Sequence, residues 1–380
     1  MSLDEKLRPH EALHSRFVVA RDFVRTILSQ PVPQERQALQ SESDFYTDHG
    51  IGHLERVLEK LAALAPFLAV EITPRELFLL LVAAYCHDLG MFLGRRDGED
   101  PSQTRREHHI RSAELVRDLA DDHRINLQPF ELPIVQSLIK AHRIINLDEI
   151  QEEQQIGNDR IRTQLLGALL RIADACDIDH RRAPEAIFAF YEDLMPPVSR
   201  ERWRQHQIVS GVHFDQRRSS VVVSVDLDGS FCETIERTRI ANAVRRELER
   251  EMQSVFDVFS RHNVGLVHVD FKDFFNQDYI DFTEFPLSEN FVLLQVNTNT
   301  QSFESLYTAI QNYLLVGSGP SLVIHIGPVE GPLYIDTRCR VGPMNLTDVE
   351  RAARESLGNE GLIDFRHSLG PEVVKLSDAI

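Results

Sequence analysis

The chain is short of cysteine, short of positive charge relative to negative, and without any long apolar run. Its four cysteines, Cys86, Cys176, Cys232 and Cys339, lie far apart and form no CxxC pair. That spacing excludes a zinc ribbon and a disulfide framework and suits reduced thiols in a cytoplasm. No apolar stretch reaches the ~18 residues of a transmembrane helix, so no membrane partner is expected. The opening residues Met-Ser-Leu-Asp-Glu-Lys lack the basic, apolar and small-residue order of a secretory signal. Lys and Arg total 41 against 59 Asp and Glu, a formal net charge of −18. A broad nucleic-acid surface is disfavoured by that balance, because duplex binding carries a basic footprint. A small anionic ligand stays compatible wherever arginines cluster locally. With 380 residues and 42% hydrophobic content, the chain can bury a large core and divides into two or three domains.

What is present centres on Leu77 to Met91, an almost wholly apolar run that ends in the adjacent pair His87-Asp88. A helix apolar on every side should be buried on every side. An imidazole and a carboxylate at its end are costly there unless hydrogen-bonded or bound to metal. Gly90 reads as the residue just past the helix end. Upstream, Thr47 or Asp48 is a plausible N-cap, and His49, His53 and Val57 then follow at four-residue steps along one helix face. That is a metal-ligand spacing, although solvated histidines show it too. Downstream, residues 91–107 form a polar segment with the composition of a lid or substrate loop. Arg95, Arg96, Arg105 and Arg106 in it are candidates for phosphate contacts or are ordinary surface arginines. Further helices carry His108-His109, then His142-Arg143 at the end of Pro133 to Arg143, then Asp174 on the apolar face of Leu165 to His180. A carboxylate on such a face needs a cation or a salt bridge to Arg171 or Arg181. Mixed imidazole and carboxylate donors suit Mn²⁺, Fe, Mg²⁺, Ni²⁺ or Zn²⁺ in an expanded, water-bearing shell.

The ordered set His53, then His87-Asp88, then Asp174 resembles the signature of the HD-domain metal-dependent phosphohydrolase superfamily. The likeness spans roughly residues 44–190. Cys86-His-Asp-Leu-Gly90 is similar to the end of the family's central helix, and Ile172-Ala-Asp-Ala to the segment that brings its last aspartate. The resemblance implies an all-helical domain in which His53, His87, Asp88 and Asp174 bind metal, Asp88 being able to bridge two ions. His108, with Ser112 and Ala113 after it, matches the additional histidine of two-metal members better than His109 does. His142 sits where a further ligand is expected. The expected activity is phosphohydrolysis of a nucleotide or related small phosphate ester by metal-activated water. Arg143, Arg181 and Arg182 join the loop arginines as phosphate candidates. His109 or His142, if not a ligand, is a candidate general acid. A nucleotide-sensing protein without turnover and a di-iron oxygenase remain as alternatives, and the resemblance carries an expectation of a homodimer.

The expected domains are 1–207, all-helical, with Pro196-Pro197 ending the helices; 208–271, a ββαβ unit; and 272–380, α+β. In the ββαβ unit, Ile208 to Phe214 and Ser220 to Leu227 alternate as strands, a long amphipathic helix runs from Cys232 to His262, and Val264 to Phe271 is a third strand. The last region reads βαββαβ, which suits a ferredoxin-like sandwich with a regulatory or oligomerisation role. Its strands are expected near 291–296, 322–326, 333–341 and 361–365, and its helices at 303–315 and 346–356. With 7 Lys/Arg against 15 Asp/Glu from residue 271 onward, it too is acidic.

Overall fold

The computed structural model describes residues 2–29, 47, 49–92, 101–143, 145–195, 197–228, 231–275 and 277–280, and beyond these only five strand segments between 292 and 374. Two compact units emerge, residues 1–226 with 243–280, and residues 227–242 with 281–380.

The first unit is built around the apolar run. Helix α4 (Pro74–Cys86) is opened by a capping box in which Thr73 and Glu76 bond each other's backbone N–H, with Pro74 at the first helical position. Every residue from Leu77 to Cys86 is buried. Around α4 pack α1 (Leu3–Leu7), α2 (Glu11–Ser29), α3 (Ile51–Leu64), α6 (Pro101–Asp121), α7 (Leu132–Ala141) and α8 (Thr163–Ala175). Each fully buried leucine on α4 contributes about 2 kcal/mol of transfer free energy. Glu76 is the one buried charge in the helix's first turn. Arg162 satisfies it through Nη2 at 2.7 Å, Nε at 2.8 Å and its own backbone N–H at 2.9 Å.

Four details depart from expectation. The N-cap of α3 is Gly50, with no side-chain cap, so Thr47 and His49 precede the helix. Gly90 does not end the chain's helical path: after a turn at His87-Asp88, the short helix α5 (Leu89–Phe92) follows. Gly90 is needed there because α5 lies directly on α6. A Cβ at Gly90 would press on the His108 carbonyl and come within 2.8 Å of Arg111 Cβ and 2.9 Å of Ser112 N. The polar segment 91–107 is not one loop, since α6 already begins at Pro101. Finally, Pro197 starts a helix, α10 (Pro197–Ile208), where an end to the helical part was expected, because proline is favoured at a first helical position. Before it, α9 (Glu185–Tyr191) is short. A small hairpin, β1 (Gln154–Ile156) with β2 (Asp159–Ile161), turns at Gly157 with φ +59° inside a segment that reads only as charged.

The expected order of two strands, a helix and a strand is present, with the third strand at His268–Asp273 rather than Val264–Phe271. β3 (Val209–Asp215) pairs antiparallel with β4 (Ser220–Val225), and β4 pairs parallel with β5 (His268–Asp273). The parallel pair requires a crossover, which α11 (Phe231–Arg261) supplies. In the second unit, β6 (Val292–Val296), β7 (Val323–His325), β8 (Leu333–Asp336), β9 (Leu362–His367) and β10 (Val373–Val374) form one antiparallel sheet, in the order β10-β9-β6-β8-β7. The helices expected at 303–315 and 346–356 lie outside the described residues. Among the described residues, no helix is long and apolar enough to cross a membrane.

Candidate metal centre

Three helix C-termini converge in the first unit. His87 is the C-cap of α4, His142 the C-cap of α7, and Asp174 lies in the last turn of α8. The C-terminal end of a helix carries partial negative charge, so this convergence favours a cation. His53 from the first turn of α3 and His108 from α6 complete the group.

All four imidazoles are oriented alike. His87 Nδ1 donates to Ala84 O at 2.7 Å, His108 Nδ1 to Arg105 O at 2.7 Å and His142 Nδ1 to Ile139 O at 2.5 Å. His53 Nδ1 donates to Asp177 Oδ2 at 2.6 Å. With Nδ1 committed as donor, each neutral ring presents the bare lone pair of Nε2 to the centre. Those lone pairs meet in pairs: His53 and His87 Nε2 are 3.2 Å apart, His108 and His142 Nε2 3.0 Å apart. Two facing lone pairs repel unless a proton or a metal cation lies between them.

The carboxylates complete two donor sets. Asp88 Oδ2 is 3.3 Å from both His53 and His87 Nε2, and Asp174 Oδ1 is 3.3 Å from His53 and 3.7 Å from His87 Nε2. The other oxygen of Asp88, Oδ1, is 3.2 Å from His108 and 3.6 Å from His142 Nε2. Donors about 2.1 Å from one ion stand roughly 3.0 to 3.4 Å apart in octahedral or tetrahedral arrangement. Six of the spacings, from 3.0 to 3.3 Å, fall in that range, while Asp174 to His87 at 3.7 Å and Asp88 to His142 at 3.6 Å are slightly wider. Three overlapping trios, His53/His87/Asp88, His87/His142/Asp174 and Asp88/His108/His142, each bring donor atoms within 4.8 Å of one another. The buried His and Asp groups can therefore bind a divalent metal.

Electrostatics say the same. Burial disfavours the Asp88 and Asp174 carboxylates, but the neighbouring imidazoles outweigh it and hold both well below the usual range. Burial and Arg182 push His53 down, and hydrogen bonds with Asp174, Asp177 and Asp88 more than offset them, raising it from 6.5 to about 9. His142 is held well below 6.5 by burial and by His87 and His108. The pattern is a dianionic pair collecting positive charge, whether carried by protons or by metal.

The remaining candidates sort by position. His109 lies one residue from His108, about 100° further round the helix. It packs edge-on against His108 and His142, burial holds it down at about 4, and it contributes neither to the donor groups nor to the cavity wall. His142 turns Nε2 into the donor group, so it is no free general acid there. A cavity of about 890 Å³, counted out to its open mouth, lies over the centre. Arg105, Arg143 and Arg182 line it, while Arg106 and Arg181 do not. Arg105 and Arg106 stand on α6 rather than on a loop. Arg181 is bound to the Asp179 carboxylate through Nη2 at 2.5 Å and Nε at 3.0 Å. Arg143 has no hydrogen-bond or ion-pair partner for its guanidinium among the described residues. Arg95 and Arg96 lie outside the described residues.

Sequence reasoning missed Asp177 and the far wall. Asp177 is fully buried and holds His53 on one oxygen and Arg56 Nε at 2.7 Å on the other. A carboxylate behind a ligand histidine fixes its tautomer and orientation. Its three-residue spacing from Asp174 was the available signal. Arg171 matters similarly: its guanidinium donates to the carbonyls of Ala141 at 2.7 Å, Arg143 at 2.5 Å and Ile145 at 2.7 Å, fixing the chain on both sides of His142. The far wall consists of Arg202, Gln205 and His206 from α10 and Val244, Glu247, Leu248 and Glu251 from α11.

The converged histidines and aspartates are consistent with an HD-type metal site. A family model described as HD-CE matches residues 43–254, more than half of the chain. The chain belongs to the HD-CE family. Comparisons with curated proteins and with solved structures gave no match.

Proposed function

We propose that this protein is a metal-dependent phosphohydrolase acting on a small phosphate ester, with a nucleotide as its substrate class. The observation that carries the reading is Asp88: its two oxygens face two different histidine pairs, directly beneath an open cavity that Arg143 enters without a partner. His53, His87, Asp88 and Asp174 would hold one ion, and Asp88, His108 and His142 a second. A divalent cation bound there supplies Lewis-acid polarisation of a phosphoryl oxygen and a water acidic enough to attack near neutral pH.

The chain's own residues supply the rest. Asp177 and the carbonyls of Ala84, Arg105 and Ile139 keep the four imidazoles in the tautomer that leaves Nε2 unprotonated. Arg143, with Arg105 and Arg182, offsets the charge of a phosphate entering the cavity. The test is the metal content of the purified protein together with phosphate release from a nucleotide panel in Mn²⁺, with Asp88→Ala as control. Near-stoichiometric metal and release that are both lost in Asp88→Ala are expected. Metal without turnover on any ester would refute the hydrolase reading.

A further inference from the structure

The far wall of the cavity is assembled from two helix faces. Arg202, Gln205 and His206 follow one another at i, i+3 and i+4 on α10, and Val244, Glu247, Leu248 and Glu251 at i, i+3, i+4 and i+7 on α11. Such spacing puts each set on one side of its helix. None of these residues belongs to the donor groups of the metal centre. Val244 and Leu248 are buried and give the wall an apolar floor. The polar groups above it divide unequally. Glu247 is neutralised by an ion pair with Arg202. Glu251, one turn further on, has no hydrogen-bond or ion-pair partner for its carboxylate among the described residues. His206 is 8% exposed, lines the cavity, and leaves its buried Nδ1 without a partner. A buried polar atom left unpaired costs free energy, a cost that a donor from a ligand in the cavity would relieve.

The mismatch has a sign. Near the metal centre the unsatisfied group is a donor, Arg143, which suits phosphate. On the far wall the free carboxylate of Glu251 can only accept. His206 is kept neutral, well below 6.5, by burial and by the charge of Arg182, so one of its nitrogens is an acceptor as well. We infer that the α10–α11 wall is the subsite for the organic part of the substrate, and that Glu251 and His206 read a group presenting adjacent hydrogen-bond donors to them. This rests on the phosphohydrolase reading for the phosphate end, while the far wall is argued from its own unpaired acceptors. Two parts of a nucleotide offer neighbouring donors: the N1–H and N2–H₂ edge of guanine, and the 2′,3′-diol of ribose. Uracil in a deoxyribonucleotide offers neither. Burial raises the Glu251 carboxyl above its ordinary 4.5 against the pull of the Arg171 and Arg143 charges, and accepting two N–H or O–H bonds would favour the ionised form.

The experiment compares kcat/KM for GMP, IMP, dGMP, dUMP and phenyl phosphate, in the metal-loaded wild-type protein and in Glu251→Gln. Glutamine keeps the shape but replaces one acceptor oxygen by a donor. The wild type should favour GMP over dUMP and phenyl phosphate. A preference lost in IMP assigns the guanine edge, and one lost in dGMP assigns the diol. Glu251→Gln should lower the GMP to phenyl phosphate ratio by about 10- to 100-fold, the range for a lost hydrogen bond to a charged group. An unchanged ratio would overturn the subsite while leaving the hydrolase reading intact. If no ester is cleaved, the hydrolase reading fails, and GMP binding by calorimetry then decides. Binding weakened at least tenfold in Glu251→Gln at unchanged metal content supports the subsite, and absent or unaltered binding overturns it. His206→Asn, which moves the acceptor while keeping a small polar group, should change the same ratio if Glu251→Gln proves unstable, and an unchanged ratio there also refutes the subsite.

Discussion

Substituting Asp177 by asparagine changes neither volume nor reach, yet both of its carboxylate oxygens are in use. Oδ2 accepts from His53 Nδ1 at 2.6 Å and Oδ1 from Arg56 Nε at 2.7 Å. An amide has one acceptor and one donor end, so in either orientation its NH₂ meets another donor. Turned with oxygen towards Arg56, the stronger charge-assisted partner, the substituted amide would present N–H to His53 Nδ1. His53 would then have to accept on Nδ1 and carry its proton on Nε2, the atom that faces His87, Asp88 and Asp174. A proton there competes directly with a metal. Loss of such an outer partner typically costs 10- to 100-fold in metal affinity, or about 1.4 to 2.7 kcal/mol. Competition of Mn²⁺ or Zn²⁺ against a chromophoric chelator measures it. Asp179→Asn is the matched control, because Asp179 is buried two residues away but holds Arg181 instead of a ligand. The loss should fall on the His53 side, leaving the Asp88/His108/His142 donors unperturbed. Wild-type affinity in Asp177→Asn, or an equal loss in Asp179→Asn, would refute the tautomer argument.

Other perturbations probe the frame and the cavity. Gly90→Ala forces a Cβ against α6 beside His108, so a loss of about 1 to 3 kcal/mol in urea denaturation should accompany weaker metal binding. Arg143→Ala should raise KM for a phosphate ester by about tenfold, the effect of one charge-assisted contact, whereas the exposed Arg106→Ala should leave KM alone. Equal effects would mean that Arg143 does not meet the phosphate. Glu76→Gln breaks a buried pair and should cost about 3 kcal/mol near neutral pH. Burial opposes the Glu76 charge, but the bonds from Arg162 prevail and lower its folded pKa below 4.5. The wild-type advantage should therefore be complete above pH 4.5 and vanish as pH falls through the lowered value. Melting curves that stay equally separated into acid would contradict this.

The central helix is legible because its apolar run opens on Thr73, Pro74 and Glu76, a capping box with proline at the first helical position. That combination admits few other structures. The donors at helix ends were legible for a related reason: a charged residue closing a buried helix has to meet something. The choice between His108 and His109 turns on helix rotation, which one contact fixes. Gly90 N donates to Ser112 Oγ at 2.8 Å, seating α5 on the α6 face that bears His108 and Ser112. Neighbouring arginines separate in the same way. Asp179 caps the short turn His180–Arg182 and holds Arg181, while Arg182 lines the cavity.

What stayed illegible depends on contacts distant in sequence. Glu247 and Glu251 lie in a run of alternating arginines and glutamates that reads as a solvated face. Two of its carboxylates nevertheless line the cavity, because α11 also carries the buried stripe Val244, Leu248, Met252 and Val255. An i, i+4 stripe fixes which side of a helix is covered but not what covers it. Here the carboxylates adjoining the stripe share a cavity with Asp174, from a helix far earlier in the chain. The local pattern is satisfied equally by solvent and by substrate. Only the partnering decides, and Glu247 has Arg202 where Glu251, among the described residues, has none.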